Sequence, residues 1–307
     1  MPKAYVFTRH GGPETEALVD VERPSPGPEE LLIAVRAAGV NPVDHKIRSG
    51  YRPPGQGGGA FPAVFGSEVS GVVVEAGKSV TGFAVGDEVF GAPVAGGYAE
   101  FAVLPQRLTA HKPAALSFTD AATIPVAGAT AYDGIRQLDL AAGSVLLITG
   151  AGGGVGVAAA QIARAEGVRV LGLASDGKKD LLAALGAVHV PSGPGWTERA
   201  TAAAPEGIDG IYDLVGGEVF TEAAALAGPG TKLITAAVRP EEAERLGGAR
   251  VERARTAAVL AAVADLVVSG ALDPRVTRTF PLERAEEALR EVESGHARGK
   301  VVIEVAP

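Results

Sequence analysis

The sequence predicts an α/β protein in two parts, a β-rich first domain followed by a doubly wound parallel sheet. Three observations carry this. Short apolar runs between glycine- and proline-rich breaks fill residues 1–115. Strand and helix patterns alternate from Ser117 onward. Within that second region a glycine turn joins a strand to a helix, reading LITGAGGGVGVAAAQ from Leu147 to Gln161.

In the first region, residues 5–8, 30–38, 69–76, 88–90 and 97–103 have the composition of strands. The breaks between them, such as PSPGP at 24–28 and GFAVGD at 82–87, are turn chemistry, and the spacing suits a small barrel or a pair of packed sheets. Ser117 to Asp120 is a capping-box pattern ahead of an alanine-rich helix. Strands are expected at 145–149, 169–174, 187–190, 210–215 and 232–236, with helices in most of the intervals and another over 254–268. The tail reads as strand, helix and strand at 274–280, 282–294 and 300–305. The segment 52–59, RPPGQGGG, reads as a loose connector or as a mobile rim over a substrate cleft.

With 307 residues the chain is long enough for about two domains. Aromatic residues make up only 5%, so the core must be built from Ala, Val, Leu and Ile. A net charge of −8 argues against a nucleic-acid partner, which needs a basic stripe. The absence of cysteine excludes disulfides, a thiol nucleophile and cysteine-ligated zinc. The start, MPKAYVF, lacks the apolar core of a signal peptide and reads as a strand, which points to the cytoplasm. Residues 144–163 form an uncharged stretch long enough to cross a bilayer, but its centre is a glycine cluster, so no membrane span is expected.

The glycine spacing is Gly150-x-x-Gly153-x-x-Gly156, overlapping Gly152-x-Gly154-x-Gly156. Such a turn lets the backbone approach a pyrophosphate, and the helix that follows presents free N–H groups to it. Gly150, Gly153, Gly154, Val155 and Gly156 are therefore candidate dinucleotide-binding residues. The next strand ends in Ala174, followed by Ser175, Asp176, Gly177, Lys178 and Lys179. Asp176 can hold a ribose 2′-hydroxyl, as NAD requires, or cap the next helix. Ser175, Lys178 and Lys179 offer the hydroxyl and cations that a 2′-phosphate needs. One charge-assisted hydrogen bond is worth about 1.5–3 kcal/mol, roughly a ten- to hundred-fold preference, so NADPH is favoured over NAD. Ligands of a doubly wound sheet bind beyond the carboxyl ends of its strands, which adds Val215, Gly216, Ala236 and Val238 to the candidates. Asp213 can be structural.

Several further segments join this turn: AGVNPVDHKIRSG at 38–50, FGSEVSGVV at 65–73, VGDEV at 85–89, GATAY at 128–132 and SGHARGK at 294–300. Together they resemble the medium-chain dehydrogenase/reductase superfamily, close to its zinc-independent NADPH:quinone oxidoreductases. The resemblance covers essentially the whole chain. It implies a GroES-like catalytic domain, residues 1–116 plus 271–307, whose last strand comes from the C-terminus. A Rossmann NADP-binding domain at 117–270 is inserted within it. It also implies a site between the two and a homodimer. Zinc-dependent members hold a catalytic metal with Cys, His and Cys; here Asn41 stands at the first cysteine position and Ser67 at the histidine, and the structural-zinc lobe is missing. The histidines, His10, His45, His111, His189 and His296, show no ligand-like pairing, and His45 is expected to be solvated. No metal is therefore expected.

The resemblance places candidate catalytic residues in the 41–51 loop. Asn41 can hold the nicotinamide or polarise a carbonyl, or simply form a turn before Pro42. Lys46, where relatives often carry tyrosine, is a donor or a surface residue. Tyr51 can stack on a ring, donate a proton, or pack the loop. Thr130 matches a family position near the nicotinamide, or bonds its own helix. The expected function is hydride delivery from NADPH to a quinone or α,β-unsaturated carbonyl without zinc. One alternative is an enoyl-thioester reductase of a fatty-acid or polyketide-type pathway, for which Arg48 and Arg52 would line a basic mouth. The other is an NADPH-binding sensor or structural protein with little catalysis.

Overall fold

The structure is a computed structural model that describes residues 1–52, 60–295 and 297–306. Most of the 52–59 connector and His296 lie outside the described residues. The chain divides into two compact units. The first comprises Met1–Val126, Arg255–Val268 and Val276–Pro307; the second comprises Ala127–Ala254 and Ser269–Arg275.

The first unit is organised on Glu30–Val40, an eleven-residue strand that is buried along most of its length. Its sequence, ELLIAVRAAGV, is apolar on both faces, as a strand covered on both sides must be. Val69–Ala76 pairs antiparallel along one edge. Phe101–Pro105 and the C-terminal strand Lys300–Glu304 take successive parts of the other. Val276–Pro281 lies parallel outside Lys300–Glu304, while Glu88–Gly91 and Thr109–His111 continue beyond Val69–Ala76. Glu16–Asp20, Lys3–Phe7 and Ala63–Val64 form a smaller sheet. Leu31, Ile33, Val69, Leu104, Val301 and Ile303 belong to one buried cluster, so the C-terminal strand completes the core, as the family resemblance implies.

The second unit holds six parallel strands, in the order Val188–Pro191, Arg169–Ala174, Val145–Thr149, Gly210–Asp213, Lys232–Thr235, Ala249–Arg250. The chain moves outward in one direction from Val145–Thr149 and then in the other. The carboxyl end of that strand is therefore the switch point of a doubly wound sheet. The uncharged stretch at 144–163 is this strand, the glycine turn and most of the helix Gly154–Ala165. No helix among the described residues is long and apolar enough to cross a membrane.

Several elements differ from the expected ones for local reasons. The strand expected at 97–103 is Phe101–Pro105, because Tyr98 and Glu100 first bond across to Tyr5, Phe65 and Lys3. Ser117 caps as expected, its hydroxyl accepting from Asp120 N at 3.0 Å. Its helix ends at Ala121, however, and Pro125 sits in a π-turn before Ala129–Leu138. Residues 117–126 and 255–268 fall with the first unit: Phe118–Ala121 packs on the Glu30–Val40 strand and Ala257–Val268 on Thr109–His111. The helix Pro42–Arg48 and the strand Glu16–Asp20 were not anticipated.

Within the first unit an ionic cluster around Glu16 and Arg48 ties together four elements: the strands Lys3–Phe7 and Glu16–Asp20 and the helices Pro42–Arg48 and Ala285–Glu293. Glu16 and Arg48 pair with side chains only 2% exposed. Arg48 also bonds Glu293 at 2.7 Å, Arg290 bonds Glu16 at 2.9 Å, and the Tyr5 hydroxyl donates to Glu16 at 2.8 Å. Removing one member of a buried ion pair leaves an uncompensated charge and costs about 3–5 kcal/mol. Glu16→Ala should lower the free energy of unfolding by that amount in equilibrium denaturant titrations, whereas Glu287→Ala, which breaks an exposed pair with Arg284, should leave the midpoint nearly unchanged.

Candidate active site

In the second unit the glycine turn has the geometry of a pyrophosphate cradle. Gly150 takes a φ of +68°, open to glycine at little cost. Gly153 caps the helix that begins at Gly154, and Gly153, Gly154 and Val155 are the accessible residues of its first turn. At Gly156 a side chain is excluded by contact: a Cβ would lie 2.5 Å from the Gly150 carbonyl oxygen and 2.6 Å from Ala151 Cα. This close approach seats the helix on the turn and brings its N-terminus forward.

Asp213 fixes the strand ends around that turn. It is fully buried and accepts from Thr149 Oγ1 at 2.6 Å, from Thr235 Oγ1 at 2.7 Å, and from the N–H groups of Val215 and Gly216 at 3.1 Å. The two threonine hydroxyls in turn accept from Leu214 N and Ala237 N at 3.0 Å. One carboxylate thus ties the ends of three neighbouring strands. Val215 and Gly216 are consequently held beside the turn: a Cβ at Gly150 would lie 3.1 Å from Val215 Cγ2, and one at Gly216 3.1 Å from Val238 Cγ1. Ala236 N donates to the Asp213 carbonyl at 2.9 Å. The structure therefore gathers Gly150, Val215, Gly216, Ala236 and Val238 at one end of the sheet. Thr130 is buried on Ala129–Leu138, its carbonyl accepting from Tyr212 Oη at 2.7 Å.

The residues read as selecting the nucleotide divide. Ser175, Asp176 and Lys179 are exposed after Arg169–Ala174. Lys178 is buried, its stem lying over Gly152 and its ammonium donating to the Gly152 carbonyl at 3.2 Å. It belongs to the turn itself, and the exposed cation at this strand end is Lys179.

In the first unit Asn41, Glu68 and Lys300 form a closed buried group. Lys300 Nζ lies 2.7 Å from both Glu68 Oε1 and Asn41 Oδ1. Asn41 Nδ2 donates to Glu68 Oε1 at 2.8 Å, and Val126 N to Glu68 Oε2 at 2.7 Å. Glu68 is 0% and Lys300 4% exposed. The Asn41 amide, read as a ligand for nicotinamide or carbonyl, is thus engaged with a protein cation and carboxylate. Its backbone also starts the helix Pro42–Arg48, with Asn41 N donating to Asp44 Oδ2 at 2.8 Å. Lys46 is exposed on that helix and does not line the adjacent cavity. His45, expected to be solvated, is half-buried with Nδ1 3.9 Å from Glu293, and burial lowers its pKa.

That cavity, about 540 Å³, lies wholly within the first unit. Phe7, Ile47, Phe61 and Phe65 supply apolar walls; Tyr51, Ser67 and Asp44 are among its polar lining. Asp44 is 2% exposed and accepts from Tyr98 Oη at 2.8 Å and Ser67 Oγ at 3.0 Å. Burial pushes its carboxyl up to about 6 despite these hydrogen bonds. Among the described residues no group of three His, Cys, Asp or Glu could hold a metal ion. The donor set does not fit one either: Asn41 Oδ1 faces the Lys300 ammonium, and the Ser67 hydroxyl donates to Asp44.

A dinucleotide cradle at the switch point of a doubly wound sheet and, in the β-rich unit, an apolar cavity are features that a dinucleotide-dependent oxidoreductase needs. Residues 27–114 match the family described as alcohol dehydrogenase GroES-like domain, and 185–303 the one described as zinc-binding dehydrogenase. The chain is 33% identical to the NAD(P)H oxidoreductase RTN4IP1, mitochondrial, of Danio rerio, covering 91% of this chain and 84% of that protein. It is 31% identical to the 2-methylene-furan-3-one reductase of Solanum lycopersicum, over 99% and 79%. A segment making up 8% of the pikromycin polyketide synthase component PikAII of Streptomyces venezuelae is 36% identical over 94% of this chain. The Coxiella burnetii quinone oxidoreductase superposes with a TM-score of 0.90 at 30% identity, covering 99% of each chain. Mycobacterial Rv1454c complexed with NADPH gives 0.88 at 30% identity, over 99% of this chain and 100% of that one. The chain belongs to the medium-chain dehydrogenase/reductase superfamily and is an NAD(P)H-dependent oxidoreductase.

Sequence reasoning passed over Asp44, Glu68, Tyr98 and Lys300 as working residues. A signal existed for two of them. A glutamate directly before the apolar run VSGVVV and a lysine directly before VVI set opposite charges against stretches bound for the core, where each needs a partner.

The Asp44 carboxyl at about 6 implies a pH dependence. Its unfolded value is about 3.9, so between pH ~4 and ~6 the folded state holds more proton than the unfolded one. Stability from this group therefore falls as pH rises through that window and is level above it. The loss is about 3 kcal/mol in all. Denaturant titrations of wild type and Asp44→Asn should show their stability difference moving against the wild type by that order between pH ~4 and ~6. A constant difference would contradict it.

Proposed function

We propose that this protein is an NADPH-dependent reductase of quinones or α,β-unsaturated carbonyls that works without zinc. The observation that carries the reading is the chemistry at the two positions where zinc-dependent relatives place metal ligands. Asn41 is bonded to the Lys300 ammonium and Ser67 to the Asp44 carboxyl, so the site already carries a protein cation and offers no soft donor. An alcohol substrate needs a Lewis acid to form its alkoxide, whereas a quinone or enone accepts hydride at a conjugated carbon and spreads the charge to its own oxygen.

Bound NADPH would supply the hydride. Gly150, Gly153, Gly154, Val155 and Gly156 are proposed to hold its pyrophosphate, with Thr130, Val215, Gly216, Ala236 and Val238 along the ribose and nicotinamide. Ser175, with Lys179 beside it, is proposed to read the 2′-phosphate; Lys178 supports the turn through Gly152. Holding hydride donor and acceptor in register contributes on the order of 7–11 kcal/mol to such reactions. Tyr51, at the cavity, is the aromatic residue proposed to stack on a flat acceptor. Homodimerisation belongs to the same proposal, by family resemblance.

A second reading, reduction of an enoyl thioester, is supported by the likeness to a polyketide synthase segment. The expected basic mouth is only half present, because Arg48 is buried against Glu16 and Glu293 while Arg52 lines the cavity.

Steady-state oxidation of NADPH should be stimulated by 1,4-benzoquinone or a simple enone and less by an enoyl-coenzyme A. NADH should be about ten-fold less effective, a preference that Ser175→Ala reduces. Tight NADPH binding with no turnover of any acceptor would refute the reductase reading and favour a sensor.

A further inference from the structure

Reduction of a conjugated carbonyl consumes a proton as well as a hydride, and the reading above leaves that proton without a source. The arrangement of Asp44 supplies one. Its Oδ2 already accepts from Asn41 N and from Tyr98 Oη, each at 2.8 Å. Its Oδ1 meets Ser67 Oγ at 3.0 Å. A carboxylate oxygen has two lone-pair sites, so a proton on Asp44 is held on Oδ1, toward Ser67. Both residues line the cavity, but Asp44 is almost sealed from solvent while Ser67 is only partly buried. The Oδ1 that would carry the proton faces the Ser67 hydroxyl, the more accessible of the two groups at the cavity wall.

We propose that Ser67 and Asp44 form a proton relay, in which Ser67 donates to the reduced acceptor and Asp44 restores the serine proton. The proposal rests on the reductase reading. The acceptor gains a C–H bond with the hydride and its two electrons and becomes an enolate, while the nicotinamide is oxidised. The Ser67 O–H bond then breaks as its proton passes to the enolate. The Asp44 Oδ1–H bond breaks as that proton moves to Ser67 Oγ. The carboxylate left behind keeps its hydrogen bonds from Tyr98 and Asn41 N and regains a proton from water.

The surroundings suit an acid available near neutral pH. Burial holds the Asp44 carboxyl at about 6, with a smaller upward push from Glu68, whose own charge is matched by Lys300. Tyr98 faces it from the segment before Phe101–Pro105, and its phenol is pushed up by burial, so it remains a donor. His45, Lys46 and Arg48 lie on its own helix, and His10, Arg52 and Arg255 line the cavity. A general acid whose pKa lies near the working pH is the efficient case.

The test uses the full chain with NADPH and but-3-en-2-one, following kcat from pH ~5.5 to ~9. Wild-type kcat should fall above pH ~6, approaching tenfold per pH unit, with a normal solvent isotope effect. Asp44→Asn keeps the side chain's shape and should flatten the profile while lowering kcat at pH ~6 by at least about tenfold. Ser67→Ala should do the same, and Ser67→Thr, which retains the hydroxyl, should recover most of the rate. NADPH affinity and cooperative unfolding should be preserved in Ser67→Ala, which separates proton delivery from structural support. Wild-type turnover with Ser67→Ala and Asp44→Asn retaining the same rate and pH limb would overturn the relay alone. No turnover by the wild type with any quinone or enone would overturn the reductase reading, and the relay with it.

Discussion

Lys300 and Glu68 meet at 2.7 Å with almost no exposure to water, and much of the first unit is arranged around them. Desolvating each ion costs several kcal/mol, so the pair persists only because every polar atom nearby is satisfied. The ammonium reaches Glu68, Asn41 and the Val40 carbonyl, and the second carboxylate oxygen takes the Val126 N–H. Space is made at Gly39, where a Cβ would fall onto the Glu68 carboxylate and the Ala122 carbonyl. The pair thus joins the C-terminal strand to the segment entering Val69–Ala76, while the ammonium's bonds to Val40 and Asn41 tie it to the end of the central strand and to the start of the Pro42–Arg48 helix. Asp44 and Ser67 take their places from that start.

Asp213 does comparable work in the second unit by a different route. It has no cation beside it among its hydrogen-bond partners and is satisfied by hydroxyl and backbone donors alone. It draws the ends of three strands together beside a turn that presents N–H groups. One unit therefore offers a preorganised anion cradle, and the other an apolar cavity with a hydroxyl and a weak acid at its edge. That combination suits an acceptor that is already electrophilic and needs position and a proton more than polarisation by a metal.

The Rossmann strands, the glycine turn and the strand-end loops were legible in the sequence because local rules govern them. The strands at Val145–Thr149 and Arg169–Ala174 come out at the expected residues, and glycine spacing reports a close backbone approach wherever it falls between strand and helix. The helix at Pro42–Arg48 was hidden by its shortness, although Asn41 followed by proline is a start signal. The fate of individual side chains was not legible. Whether Asn41 faces a ligand or Lys300 depends on a strand 259 residues further on. Whether Lys178 reaches a phosphate or lies over Gly152 depends on how closely two loops pack. Such partners are set by tertiary contact and leave no periodic mark.

On the proposed function, a protein cation and a hydroxyl–carboxyl pair replace the metal of zinc-dependent relatives, and reduction proceeds without one. Elemental analysis of the purified protein, made on the same sample whose NADPH-dependent turnover is measured before and after exhaustive chelation, tests it most directly. Zinc far below one atom per chain, with turnover unchanged by the chelator, is the predicted result. One zinc per chain, with turnover lost on its removal and restored on its return, would contradict a zinc-independent reduction.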